Sequence, residues 1–145
     1  MRWPGNEEIR MATEPITYEG LDQTFLAAFP EFTDSYKREF DYWVDWDEPP
    51  GIYLILGLIV FPHLVSMLDT GQDQQLVRRL FEFFEGMARS KERNVIDLLG
   101  LEVIHKLLHD PDRLRKAWPY MGGKTREVAG NAAKALRLQI DVGKL

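Results

Sequence analysis

Gly122-Gly123-Lys124-Thr125 carries the residue types that close a phosphate-binding loop. Such a loop needs a glycine, four residues, then Gly-Lys-Ser/Thr, because its backbone N–H groups must curl around the phosphates. Counting back from Gly123 puts Trp118 where the first glycine belongs, and the preceding segment has a helical pattern where a strand is required. A nucleotide loop is therefore not expected. What survives is weaker. Two glycines ahead of a helix leave free N–H groups at its positive end, with Lys124 and Arg126 beside them. Gly122, Gly123, Lys124 and Arg126 are thus candidates for holding a small anion. The plainer alternative is a connector whose glycines let two helices approach closely.

His105 and His109 stand four apart with Glu102 close by, the spacing of a helical metal pair. Zinc needs three or four ligands, and His63, on an apolar segment, is the chain's sole further histidine. No metal and no cofactor is expected, since histidines near a helix end already complement its negative dipole. There is no cysteine nucleophile, and Ser35, Ser66 and Ser90 lack a Gly-x-Ser-x-Gly setting. Carboxylate pairs abound between Asp41 and Glu48, but one acidic stretch yields them by chance. With no coherent set of catalytic roles, the chain reads as non-enzymatic. The same stretch suggests docking instead. Tyr42 and Trp46 sit at the margin of an apolar stripe beside Asp45, Asp47 and Glu48, and aromatics ringed by charge are common where proteins meet. Alternatively, both rings fold under Pro49-Pro50-Gly51 and complete the core.

The elements that must position these residues read as helices throughout. Leu21–Phe29 is a short amphipathic helix stopped at Pro30, and Phe32, Tyr36, Phe40, Trp43 and Val44 form the apolar stripe of the next. Ile52–Leu68 is the most apolar stretch; it has the length of a minimal membrane crossing, but Pro62-His63 interrupts it and acidic residues flank it, so a buried core helix is expected. Asp73–Ser90 and Lys91–His109 are amphipathic helices, Asp110-Pro111 starts a short one, and a last helix spans about Lys124 to Leu138. No run alternates with period two, so no sheet is expected.

The expectation is one all-α domain of six to seven helices over residues 19–140, centred on Ile52–Leu68 and Lys91–His109. A flexible arm (1–18) precedes it and a short tail (141–145) follows. Met1 and Met11 both serve as possible starts. Two adjacent antiparallel helix pairs allow a HEAT-like stack, although no internal repeat establishes one. The net charge of −5 divides unevenly: residues 1–105 hold 9 Lys+Arg against 19 Asp+Glu, and residues 106–145 hold 9 against 4. Such a field repels nucleic acid. No secretory signal opens the chain and cysteine is absent, which suits the cytoplasm.

Three pieces, Phe25–Tyr36, Leu76–Leu108 and Tyr120–Glu127, occur in an order and spacing that resemble a bacterial domain family of unknown function. The most specific part is the Met-Gly-x-Lys-Thr-Arg block, carried by Met121, Gly122, Lys124, Thr125 and Arg126. The resemblance spans residues 21–138. It implies a small all-helical protein, and some members of that family are suspected immunity proteins of toxin systems. On that footing the expected partner is another protein, such as a basic toxin steered by the acidic surface. Neither nucleic acid nor membrane is an expected partner.

Overall fold

The computed structural model describes residues 15–42, 51–138 and 145. Among them are seven helices and no strand, as the sequence pattern predicts. Helix α1 (Leu21–Ala28) leads through a 3-10 turn, Pro30–Phe32, into α2 (Thr33–Tyr42). Helix α3 is Ile52–Thr70, and α4 is Gln74–Ala88. Helix α5 is continuous through Arg93–Leu99, Gly100–Ile104 and His105–Leu108. Helix α6 (Pro111–Ala117) and a 3-10 turn, Trp118–Tyr120, precede α7 (Gly123–Ala135). As expected, Asp110 caps α6: its side chain accepts from the Arg113 N–H at 3.3 Å, and Pro111 takes the first helical position, where no donor is needed.

Pro62 does not interrupt α3. Immediately before it, Ile55–Val60 is wound as a π-helix, a wider turn with i→i+5 bonding. That local change absorbs both the missing proline N–H and the crowding of its ring against the preceding turn. Helix α5 has a second π segment at Gly100–Ile104, and the two segments lie against each other. Long and apolar enough to cross a membrane by composition, at a mean hydropathy of 1.9, α3 instead buries Ile55, Leu56, Val60 and Leu64 completely within the domain.

The core joins those residues to Phe81, Phe84, Leu98, Leu99 and Ile104, all at most 1% exposed. Each such burial stabilises by ~1.5–3 kcal/mol. A satellite of rings anchors α1. Phe25 stacks on Phe29 (4.7 Å) and meets Phe83 edge-on (5.2 Å), while Arg79 of α4 lies 5.0 Å over Phe29 and donates to the Ala28 carbonyl. The apolar stripe of α2 is less buried than its pattern predicts. Phe32 is enclosed, Tyr36 half-buried and Phe40 38% exposed, while Trp43 and Val44 lie outside the described residues. A stripe is necessary for burial, but only a neighbour's surface completes it.

The arm assigned to residues 1–18 needs one correction. Residues 1–14 lie outside the described part, but Ile16 and Tyr18 pack on the core. Buried Ser90 donates to the Ile16 carbonyl, and the Tyr18 N–H donates to Glu92 at 2.9 Å. The break in pattern at Ser90 is therefore the turn that ties the N-terminal segment down.

Contacts between α3 and α5 run in the same sense along both helices. Tyr53 lies near Asp97 and Glu102, Gly57 beneath Glu102, and Phe61 against Lys106, whose ammonium is 5.1 Å from the ring centre. The two helices therefore lie side by side and parallel, with α4 returning between them in the chain. Stacked helical hairpins require this relation.

Candidate functional site

The start of α7 has no side-chain cap of its own, since Gly122 occupies the capping position. Its donors go instead to Glu85 of α4. One carboxylate oxygen accepts from the Thr125 N–H (2.8 Å) and the Thr125 hydroxyl (2.9 Å), and the other accepts from the Lys124 N–H (3.1 Å). Arg89, one turn along α4, donates its Nε at 3.0 Å. Burial raises the Glu85 pKa, but these donors outweigh it and hold the carboxyl below the ordinary glutamate value. Gly122 follows from the same contact: a Cβ there would lie 2.5 Å from the Glu85 carboxyl carbon.

The donors expected for an anion site are therefore occupied from within the chain. The positive end of α7 holds an anion, and that anion is the chain's own Glu85. Lys124 pairs with Glu127 at 3.3 Å, and Arg126 lies over the Trp118 ring at 5.0 Å while donating to the Trp118 carbonyl. At Gly123 an added methyl would meet no atom within 4 Å, so nothing there demands glycine. Thr125, absent from the candidate residues, is completely buried and supplies two of the clamp's donors. Two signals were available: a helix start without Ser, Thr, Asp or Asn at its cap, and an acid on α4 outside the apolar stripe.

Of the candidate docking residues, Asp45, Trp46, Asp47 and Glu48 lie outside the described residues, and Tyr42 is placed only as the last residue of α2. Glu102 reaches over Gly57, whose absent side chain leaves room for it; a Cβ there would collide with its carboxylate oxygen. Its partner is Lys106 at 3.1 Å, one turn along. His63 stands elsewhere, edge-on to Phe32 at 5.6 Å, and no cluster of three or more metal-binding side chains occurs among the described residues.

The described surface has a second concentration of features where the π segments meet. Leu58 and Leu101, on either side of the Gly57–Glu102 contact, are 52% and 51% exposed, and Tyr53 one turn below is 40% exposed. Burial and the nearby Tyr18, Glu102 and Asp97 raise the Tyr53 pKa. Next to this ridge, α5 and α7 border an open groove of about 370 Å³. Leu101, Ile96 and Val128 form apolar walls, with His105 and Asn131 as polar groups and the Arg93–Asp97 ion pair (3.0 Å) at the edge.

Fold and surface together define an all-helical domain whose phosphate-loop look-alike is a structural clamp and whose open face is a ridge of exposed apolar side chains. The chain belongs to the family described as domain of unknown function DUF7674, which matches residues 23–134. No curated protein and no solved structure matches it.

Proposed function

We propose that this chain is a non-enzymatic cytoplasmic protein-binding domain that docks a partner on the α3–α5 ridge. The carrying observation is the exposure of Leu58 and Leu101 beside the half-covered Glu102–Lys106 pair. Apolar side chains gathered on a face and rimmed by charge mark sites where water is displaced by another protein. The acidic balance of residues 1–105 favours a basic partner, which it would steer on approach. In its finer form this reading is an immunity-type role in which the chain masks a toxin, as the family resemblance implies.

Affinity capture with the wild-type chain and with Leu58→Asp/Leu101→Asp, from cells carrying the neighbouring genes, tests it. A basic partner held by the wild type and lost on the double substitution supports docking at the ridge. A partner held equally by both removes the ridge from the interaction.

The alternative reading, a small-anion-binding or catalytic domain using Gly122–Arg126, would require a ligand to displace Glu85 from the N–H groups of Lys124 and Thr125. A phosphate or nucleotide that raises the melting temperature of the wild type, but not of Lys124→Ala, would revive it.

A further inference from the structure

We propose that the segment Pro15–Glu19 is a displaceable strap lying in a peptide-binding cleft at the α4–α5 turn, and that the cleft fits an extended partner segment of aliphatic-x-aromatic sequence. Nothing in this cleft depends on the Leu58–Leu101 ridge being a docking face.

The strap itself shows what the cleft holds. Residues 15–19 belong to no helix and alternate as an extended chain does: Ile16 and Tyr18 pack on the core, while Pro15, Thr17 and Glu19 are exposed. Their backbone is gripped by side chains. Ser90 donates its hydroxyl to the Ile16 carbonyl, and Glu92 accepts from the Tyr18 N–H at 2.9 Å. The Ser90 oxygen also accepts from the Glu92 N–H at 3.1 Å, which fixes the two grips relative to each other. Contacts to a peptide backbone read no side chain, so the pockets at alternate positions supply the selection. At the first of them Gly86 leaves the room: a Cβ there would lie 2.8 Å from Ile16 Cδ1. Gly20, with a φ of 68°, then turns the chain into α1, a joint that glycine makes without strain. The family match, residues 23–134, contains Gly86, Ser90 and Glu92, so the cleft lies within the matched region and its occupant outside it. A segment held by its own chain competes with free peptide at the high local concentration that a short connection imposes. The cleft is thereby closed to weak binders and opens to a better-fitting one.

The test uses the full chain and a fluorescein-labelled peptide with the sequence of residues 15–20, read by fluorescence anisotropy. In Ile16→Gly/Tyr18→Gly the strap loses both anchors. This variant is expected to bind the peptide roughly tenfold or more tightly than the wild type, whose own strap competes. Adding Gly86→Val fills the first pocket and is expected to abolish that binding, and a peptide with serine at both inward positions is expected not to bind. A released variant with wild-type circular dichroism that ignores the peptide overturns the proposal, as does equal binding of the serine peptide. Native-state hydrogen exchange of the wild type gives a check that needs no variant. The Tyr18 amide is expected to exchange through a local opening insensitive to low urea. Exchange that instead follows the urea dependence of core amides such as Phe84 would mean that the strap leaves only when the domain unfolds, and that too would overturn it.

Discussion

The α4–α7 junction and the α3–α5 crossing use the same device with different outcomes. In each, a glutamate carboxylate occupies space that a glycine leaves open: Glu85 over Gly122 and Glu102 over Gly57. Glu85 is held by two backbone N–H groups, a buried hydroxyl and an arginine. Glu102 has one lysine partner and exposed leucines on both sides. The contrast separates structure from surface. A carboxylate saturated by local donors holds two helices together, whereas a carboxylate with one lysine partner beside exposed apolar side chains leaves its surroundings open to solvent.

The largest effect is expected from removing the clamp. Glu85→Ala deprives buried Thr125 and the first turn of α7 of their acceptor, a loss of about 2–3 kcal/mol. For a chain of this size that lowers the melting temperature by roughly 6–10 °C. Glu102→Ala leaves no buried donor orphaned and should change stability by less than about 0.5 kcal/mol. Equal losses from the two would erase the distinction.

Acid should weaken the clamp. Because the folded Glu85 pKa is depressed, the unfolded chain binds a proton first as pH falls. The stabilisation is complete above the ordinary glutamate value of about 4.3 and is lost as pH falls through the lower folded value. Urea midpoints measured from neutral pH downward should drop in that window. In Glu85→Gln the drop should be shallower.

Smaller effects come from the glycines. Gly122→Ala pushes a Cβ into a carboxylate that four donors hold in place, costing about 1–2 kcal/mol. Gly57→Ala meets the far end of a side chain held by a single lysine, which can swing aside, and alanine is the better helix former by about 1 kcal/mol, so little net loss is expected. Chemical denaturation of the two variants side by side checks this. The smallest effect on stability belongs to Leu101→Asp, expected to lie within about 0.5 kcal/mol of wild type, because half of that side chain already faces water.

Much of the fold was legible in the residues themselves. Apolar steps of three and four drew α4 and α5, and Asp110-Pro111 marked the start of α6. Spacing was also enough to set aside a nucleotide loop at Gly122–Thr125. Less legible was anything set by distant partners. Glu85 lies 39 residues from Lys124 and 40 from Thr125, so no local period connects them. The π segments were hidden as well, because a wider turn inside a continuous apolar stretch leaves the pattern of burial almost unchanged. The ridge emerged only when α3 and α5 were seen side by side, since neither helix alone shows which of its apolar residues a neighbour covers.

The most direct measurement is a double-mutant cycle between Glu85→Ala and Gly122→Ala, read as unfolding free energy in urea. If Gly122 exists to admit the Glu85 carboxylate, the added methyl costs nothing once that carboxylate is gone, and the two losses should fall short of additivity by about 1–2 kcal/mol. Strictly additive losses would mean that the glycine and the glutamate act independently, contradicting the clamp.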